Sequence, residues 1–285
     1  MAVRGADTYF PYPTPPEALT TLSERTNYLV EHFWDRCNLK SAFSSRAKLA
    51  VAFRDYVSFM PYASSDTVHE SITRLINEVK GNKNNLLTLG EIAESALYSD
   101  SAEVLSDELY IPFATAVASN KKIPGASRAR FEHQARVLTN SQLGAVAPPL
   151  PFETVDGVKS DLSKVESPYI LLFFNDPDCD DCTLVKARLA ADFSTRQLID
   201  KGILKIVSIY PDSPSDEWKE SVSRYPATWV VGASEEADDT FDMRNAPVMY
   251  FLDKDRKIIA KNMVIDNVIN AFNMINNAQT VQQPQ

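Results

Sequence analysis

Apolar residues in the N-terminal half recur three and four positions apart, the spacing that lines one face of an α-helix. Val68, Ile72, Leu75, Ile76 and Val79 give the clearest stripe, and Lys80-Gly81 supplies a C-terminal stop. Thr21-Leu22-Ser23-Glu24 reads as a capping box opening a helix that carries Tyr28, Leu29, His32 and Phe33 on one side. The pattern predicts further helices over 45–60, 88–98, 106–119 and 127–138. Pro112 restricts or kinks the third of these, because it has no N–H to donate. Ahead of the helices, Tyr9-Phe10-Pro11-Tyr12-Pro13-Thr14-Pro15-Pro16 is an extended lead-in, since each proline restricts its own φ and the residue before it.

The pattern changes at Gly144-Ala145-Val146-Ala147-Pro148-Pro149-Leu150-Pro151, which cannot continue a helix and reads as a linker. Residues 152–155 and 158–162 form a predicted hairpin across Asp156-Gly157, where glycine supplies the positive φ of a tight turn. The apolar run 169–174 reads as a buried strand. A helix over 183–189, a strand over 203–210, a helix over 216–222, a strand over 229–231, a hairpin of 248–252 with 257–261 and a closing helix over 265–275 follow. The chain then divides into a Pro-rich lead-in (1–20), an all-α domain (21–143), an α/β domain (144–278) and a Gln-rich tail (279–285) predicted to be disordered.

A chain of 285 residues is long enough for two such cores. With 38 acidic against 29 basic residues and a net charge of -9, nucleic acid is not an expected partner. No run approaches the roughly 18 apolar residues of a membrane span. The start, Met1-Ala-Val-Arg-Gly, lacks the apolar stretch of a signal peptide, which leaves either a cytosolic protein or one whose export signal has been trimmed. His32, His69 and His133 are far apart and have no metal-type partner at i+4, so they read as surface or packed histidines. Cys37, next to Phe33-Trp34, reads as a small buried hydrophobe.

The candidate chemistry is concentrated in Asn175-Asp176-Pro177-Asp178-Cys179-Asp180-Asp181-Cys182. Asn-Asp-Pro breaks the preceding strand, and the Cys-x-x-Cys opens the next helix. Two thiols at this spacing can close a small disulfide ring, and the first sits where unpaired N–H groups and the helix dipole favour a thiolate. A chelate of the cysteines with Asp176 and Asp178 for a soft divalent ion is the competing reading, but no histidine or second cysteine pair is near in sequence. We therefore expect no metal and no small-molecule cofactor, only a redox-active disulfide.

The order strand, Cys-x-x-Cys helix, strand, helix, hairpin, helix is that of the thioredoxin fold, in which a cis-proline precedes the strand facing the dithiol. Ala246-Pro247 stands at that place. Residues 144–278 resemble the TlpA/ResA branch of the thioredoxin superfamily. The match lies in the Ala-Pro lead-in, the Asp-Gly hairpin, Ile170-Leu-Leu-Phe-Phe174, Val207-Ser-Ile-Tyr-Pro-Asp212 and Ala246-Pro-Val-Met-Tyr-Phe-Leu-Asp253. Arg25-Thr-Asn-Tyr-Leu-Val-Glu-His-Phe-Trp-Asp35 and Leu105-Ser-Asp-Glu-Leu-Tyr-Ile-Pro112 resemble an uncharacterised helical domain that precedes such thioredoxin domains in exported proteins of Bacteroidetes-type bacteria. The resemblance implies an all-α N-terminal domain followed by an α/β thioredoxin-fold domain, located in the periplasm or cell envelope.

It also implies dithiol–disulfide exchange, with Cys179 as nucleophile, Cys182 as resolving thiol, Pro247 as the cis-proline facing them and Ala246 lining the substrate contact. Partners would be protein disulfides or dithiols and an upstream electron donor. Three departures stand out. Asp178 replaces the tryptophan that often precedes the first cysteine and gives the substrate a flat contact. Phe173 occupies the place of a buried acid six residues before that cysteine, so a proton acceptor for Cys182 is missing or comes from elsewhere. Asp176, Asp178, Asp180 and Asp181 crowd the thiols, although Asp180 and Asp181 also suit a helix start for dipole reasons. At about 5–8 Å and an effective dielectric of about 20–40, one close carboxylate costs a thiolate on the order of 1–3 kcal/mol. Also, Asp176 stands three before Cys179, where peroxiredoxins carry threonine, which disfavours a peroxidase. The sequence predicts a reductant or slow exchanger. If the aspartates suppress reactivity, the alternative is a redox-silent protein-binding module.

Overall fold

Thr21 caps the first helix as its spacing predicts: its hydroxyl accepts from the Glu24 N–H, and the Glu24 carboxylate accepts from the Thr21 N–H at 3.0 Å. The computed structural model describes residues 8–244 and 247–281, with side chains to 278. It divides into two units, Met1–Ala135 and Arg136–Gln285.

The first unit is helical. It contains α1 (Leu22–His32), α2 (Leu39–Ala42), α3 (Arg46–Phe59), α4 (Ser65–Val79), α5 (Lys83–Leu97), α6 (Asp107–Ser119) and most of α7 (Gly125–Asn140). The predicted stripe of α4 is buried at Val68, Ile72, Leu75 and Val79. α5 starts five residues before the predicted 88, because Asn82 caps it by accepting from the N–H groups of Asn84 and Asn85. Pro112 lies inside a helix that stays continuous around it. The Pro-rich lead-in is extended and packed: Phe10 is buried against Phe33 and Trp34, and the Tyr12 hydroxyl donates to Asp55 at 2.7 Å. Phe33, Phe53, Tyr56 and Phe113 form the buried aromatic centre of this unit.

The second unit is built on β1 (Pro151–Glu153), β2 (Lys159–Asp161), β3 (Tyr169–Phe174), β4 (Leu204–Tyr210), β5 (Val230–Ala233), β6 (Val248–Asp253) and β7 (Ile258–Lys261). They form one mixed sheet in the order β2-β1-β5-β4-β3-β6-β7. The helices are α8 (Asp180–Ala191), α9 (Phe193–Asp200), α10 (Asp216–Val222), α11 (Ala237–Thr240) and α12 (Ile265–Val281). β3 runs parallel to β4 and antiparallel to β6 at the centre of the sheet. Successive strand side chains alternate faces, so its apolar run feeds two cores. Leu171 and Phe173 pack with residues of α8, α9 and α12, while Ile170, Leu172 and Phe174 pack with Leu150, Phe152, Phe241 and Tyr250.

α8 begins at the Cys-x-x-Cys, as expected, with Cys179 at its N-cap and Cys182 in its first turn. α9 is absent from the sequence reading. Asp192 caps it by accepting from the Thr195 N–H at 2.7 Å, and its helix is too short for periodicity to announce. α12 continues to Val281, past the predicted end at 275. Residues 282–285 of the tail lie outside the described residues. No helix among the described residues is long and apolar enough to cross a membrane.

Candidate functional site

The end of β3 positions the site. After Phe174 the chain leaves the sheet through Asn175, makes a turn in which the Asp176 side chain accepts from the Asp178 N–H at 2.8 Å, and enters α8. Cys179 is the N-cap of that helix: its Sγ accepts from the Cys182 N–H at 3.1 Å and its carbonyl from the Thr183 N–H. Cys179 and Cys182 form a disulfide with a Cα–Cα distance of 5.2 Å. Their exposures differ. Cys182 is 1% exposed and faces the sheet among Phe173, Val185 and Met249, whereas Cys179 is only half-buried. The helix phase dictates this, since Cys182, Val185 and Leu189 follow the buried stripe of α8 and the N-cap stands at its open end.

The four aspartates surround this end of α8. Asp178, Asp180 and Asp181 are exposed and Asp176 is half-buried. Asp180 and Asp181 lie in the first turn, where the dipole favours negative charge. Tyr210, at the end of β4, is held above the ordinary phenol range first by burial, and also by Asp176, Asp212 and Asp178. Pro247 is half-buried and directly precedes β6. The antiparallel pairing of Phe174 with Val248 places it at the sheet end from which the cysteine loop departs. Ala246 lies outside the described residues.

Phe173 is apolar and fully buried, but polarity appears one strand over. Phe173 pairs in register with Ser208 of β4, which is 1% exposed. Asn175, itself buried, donates through Nδ2 to Ser208 Oγ at 2.7 Å and to the Phe173 carbonyl at 3.3 Å. Its Oδ1 accepts from the Tyr225 hydroxyl at 2.5 Å. The Lys186 ammonium lies 4.3 Å from the centroid of the Tyr225 ring. Burial, then the neighbouring Arg224, holds the Lys186 ammonium below the ordinary lysine range, and burial raises the Tyr225 hydroxyl.

The sequence reading missed Asn175, Ser208, Tyr225 and Lys186 as a group. Asn175 read only as a strand breaker. Lys186 had a local signal, since it follows Cys182 by four and Cys179 by seven and so shares their helix face. Ser208 and Tyr225 had none, because tertiary pairing brings them there. Cys37 is a free, half-buried thiol of the first unit, pushed up to about 11 by burial and then by Glu78. Among the described residues, no three histidine, cysteine or acidic side chains are grouped as a metal site.

Residues 2–141 match a family described as a domain of unknown function, DUF5106. No curated protein matches the chain. A thioredoxin-like protein from Bacteroides caccae is 22% identical, and its structure superposes with a TM-score of 0.73 over 94% of this chain and 99% of that one. Two further structures each cover just under half of this chain. The C-terminal domain of an uncharacterized protein from Bacteroides fragilis is 29% identical over 47% of this chain and 99% of its own, with a TM-score of 0.45. The thioredoxin domain of a thiol-disulfide oxidoreductase from Bacteroides vulgatus is 21% identical over 47% and 97%, with a TM-score of 0.42. Sheet order, the Cys-x-x-Cys helix start and the near full-length superposition agree, and the C-terminal part of the chain has a thioredoxin-like fold that follows an N-terminal helical region matching DUF5106.

Proposed function

We propose that the chain is a thiol–disulfide oxidoreductase that exchanges the Cys179–Cys182 dithiol with protein disulfides, acting as a reductant or slow exchanger. The carrying observation is the unequal burial of two bonded sulfurs at one helix start: Cys179 is accessible to a partner and Cys182 is not. In the reduced protein, the Cys179 thiolate attacks one sulfur of a partner disulfide. A mixed disulfide forms and the partner's other sulfur leaves as a thiolate. Cys182 loses its proton to water and attacks the Cys179 sulfur, closing the intramolecular disulfide and releasing the second partner thiolate. Two electrons pass to the partner, and an upstream dithiol donor returns them.

Pro247, at the sheet end beside the cysteine loop, denies a backbone donor at that position and shapes the contact with Ala246 and Asp178 for a bound peptide. The redox group is the cysteine pair itself. The resemblance to exported proteins supports a location in the periplasm or cell envelope. Insulin reduction in the presence of dithiothreitol tests the reading: turnover that Cys179→Ser abolishes supports it. Absence of turnover by a folded, fully reduced chain would favour the redox-silent binding module, which the surrounding carboxylates make the second reading.

A further inference from the structure

Four carboxylates oppose a thiolate at Cys179, and the buried acid of related folds is replaced by Phe173, so something else must set the reactivity of the reduced pair. Lys186 is a cation that the helix places on the side of the cysteines. It sits one helical turn beyond Cys182 and two beyond Cys179 on the same face of α8, about 6 and 10 Å along the axis. Helical side chains lean toward the helix N-terminus, which carries its ammonium toward the cysteines. Its position is fixed: the Tyr225 ring lies 4.3 Å beneath the ammonium, and the Tyr225 hydroxyl is tied to Asn175, which leads into the cysteine loop and is itself tied to Ser208. Among the described residues Lys186 meets no carboxylate within salt-bridge distance, so its charge is not already neutralised.

We propose that Lys186, seated on Tyr225 and braced through Asn175 and Ser208, is the built-in counter-charge of the reduced Cys179–Cys182 pair. It is a positioning residue that stabilises the thiolate against Asp176, Asp178, Asp180 and Asp181. The inference deepens the exchange reading and rests on it for its use. Other charged groups bear on the same place. Arg224 faces Lys186 from beyond α10 and adds positive potential, while Asp176 acts on Tyr225 from the loop. On α8 itself Asp180 and Asp181 oppose it, and Arg188 is paired with Asp266 of α12 at 2.6 Å. The Tyr225 seat excludes water from one side of the ammonium, which strengthens its field relative to an exposed lysine.

The test is the pH dependence of iodoacetamide alkylation of Cys179 in the fully reduced full-length chain, compared for wild type, Lys186→Gln and Lys186→Arg. Removing the cation disfavours the thiolate, so Lys186→Gln should raise the midpoint by about 0.5–1 pH unit, while Lys186→Arg stays close to wild type. An unmoved midpoint in Lys186→Gln overturns the inference. So does an equal rise in Lys186→Arg, because packing of the stem and not charge would then be responsible. If Lys186→Gln does not fold, Tyr225→Leu removes the seat with the lysine in place. It too should raise the midpoint, and no rise overturns the inference. Alkylation needs no partner disulfide, so the two readings separate. A shifted midpoint without insulin turnover sinks the exchange reading alone, and turnover with an unmoved midpoint sinks the counter-charge alone.

Discussion

Cys37 and Cys179 are both half-buried, yet their surroundings assign them opposite chemistry. Cys37 lies beside Glu78 in a low-dielectric site that pushes its thiol up to about 11, from an ordinary value of about 9. Cys179 caps a helix, where N–H groups and the dipole favour the anion. At neutral pH the thiolate fraction of Cys37 is therefore on the order of a hundredfold below that of an unfolded cysteine. In the reduced chain, mass spectrometry should find Cys37 alkylated well after Cys179, with its rate rising steeply only as pH climbs toward 11. Because the folded-state value is the higher one, the associated stability is full below about pH 9 and is lost as pH rises through about 11. The carboxylates near Cys179 give a second expectation. Asp178→Asn, Asp180→Asn and Asp181→Asn should each lower its alkylation midpoint by a few tenths of a pH unit at low salt, and by less at 0.5 M salt, since exposed charges are screened. The wild-type midpoint should stay above about 5 and the potential well below the roughly −120 mV of DsbA. A midpoint under 5 would overturn the proposal that the chain acts as a reductant. Much of this was legible in eight residues of sequence. The two cysteines and the aspartates around them are local features, whereas the lysine seat depends on Tyr225, 39 positions beyond Lys186.

Elements with strong period or punctuation were legible, and those made by close approach were not. The continuous apolar run of β3 and the stripe of α4 follow directly from residue spacing. α9 and the docking of β1 onto β5 depend on details that no period carries. The β1–β5 pairing is a single register pair, Glu153 with Ala233, and beside it the Phe152 side chain packs closely against Gly232. A Cβ at 232 would meet the Phe152 ring, with Cγ at 3.0 Å and Cβ at 3.2 Å, so glycine is needed there for approach and not for its φ. Gly232→Val should push Phe152 out of the core it shares with Leu150 and Phe174, costing about 1–3 kcal/mol in a urea titration. Hydrogen exchange should show the loss first at 151–161, the hairpin of β1 and β2, while β3, β4 and β6 stay protected. Uniform loss across the sheet would mean that the hairpin is not a separately docked piece.

At the scale of the whole molecule, composition and contacts draw different lines between the two parts, and the difference has an energetic consequence. The Pro-rich stretch at 144–151 marks where the residue pattern changes, but the second unit starts at Arg136, within α7. The last turn of that helix is tied into it. The Arg136 guanidinium donates to the carbonyl and carboxylate of Asp239, the Asn140 side chain donates to the Thr240 carbonyl, and Ser141, fully buried, accepts from the Asp242 N–H at 3.0 Å. Tyr250 of β6, also fully buried, reaches the same Ser141 hydroxyl at 3.1 Å and the Asp242 carbonyl at 2.7 Å. Asp242 is 3% exposed and is ion-paired with Arg244 at 2.7 Å, just ahead of the segment leading to Pro247. A fragment starting at Gly144 strips Ser141 from this cluster and leaves the buried Asp242 N–H without its acceptor, at a cost of about 1–3 kcal/mol. A fragment starting at Arg136 keeps it. The exposed Arg136–Asp239 pair adds little, so the difference rests on the buried hydroxyl. Thermal melts of the two fragments should therefore place 136–285 several degrees above 144–285, with Ser141→Ala in the longer one lowering its melting temperature enough to close most of the gap. Equal melting of both fragments would show that Ser141 is a passive filler, with the buried Asp242 held by Tyr250 and Arg244.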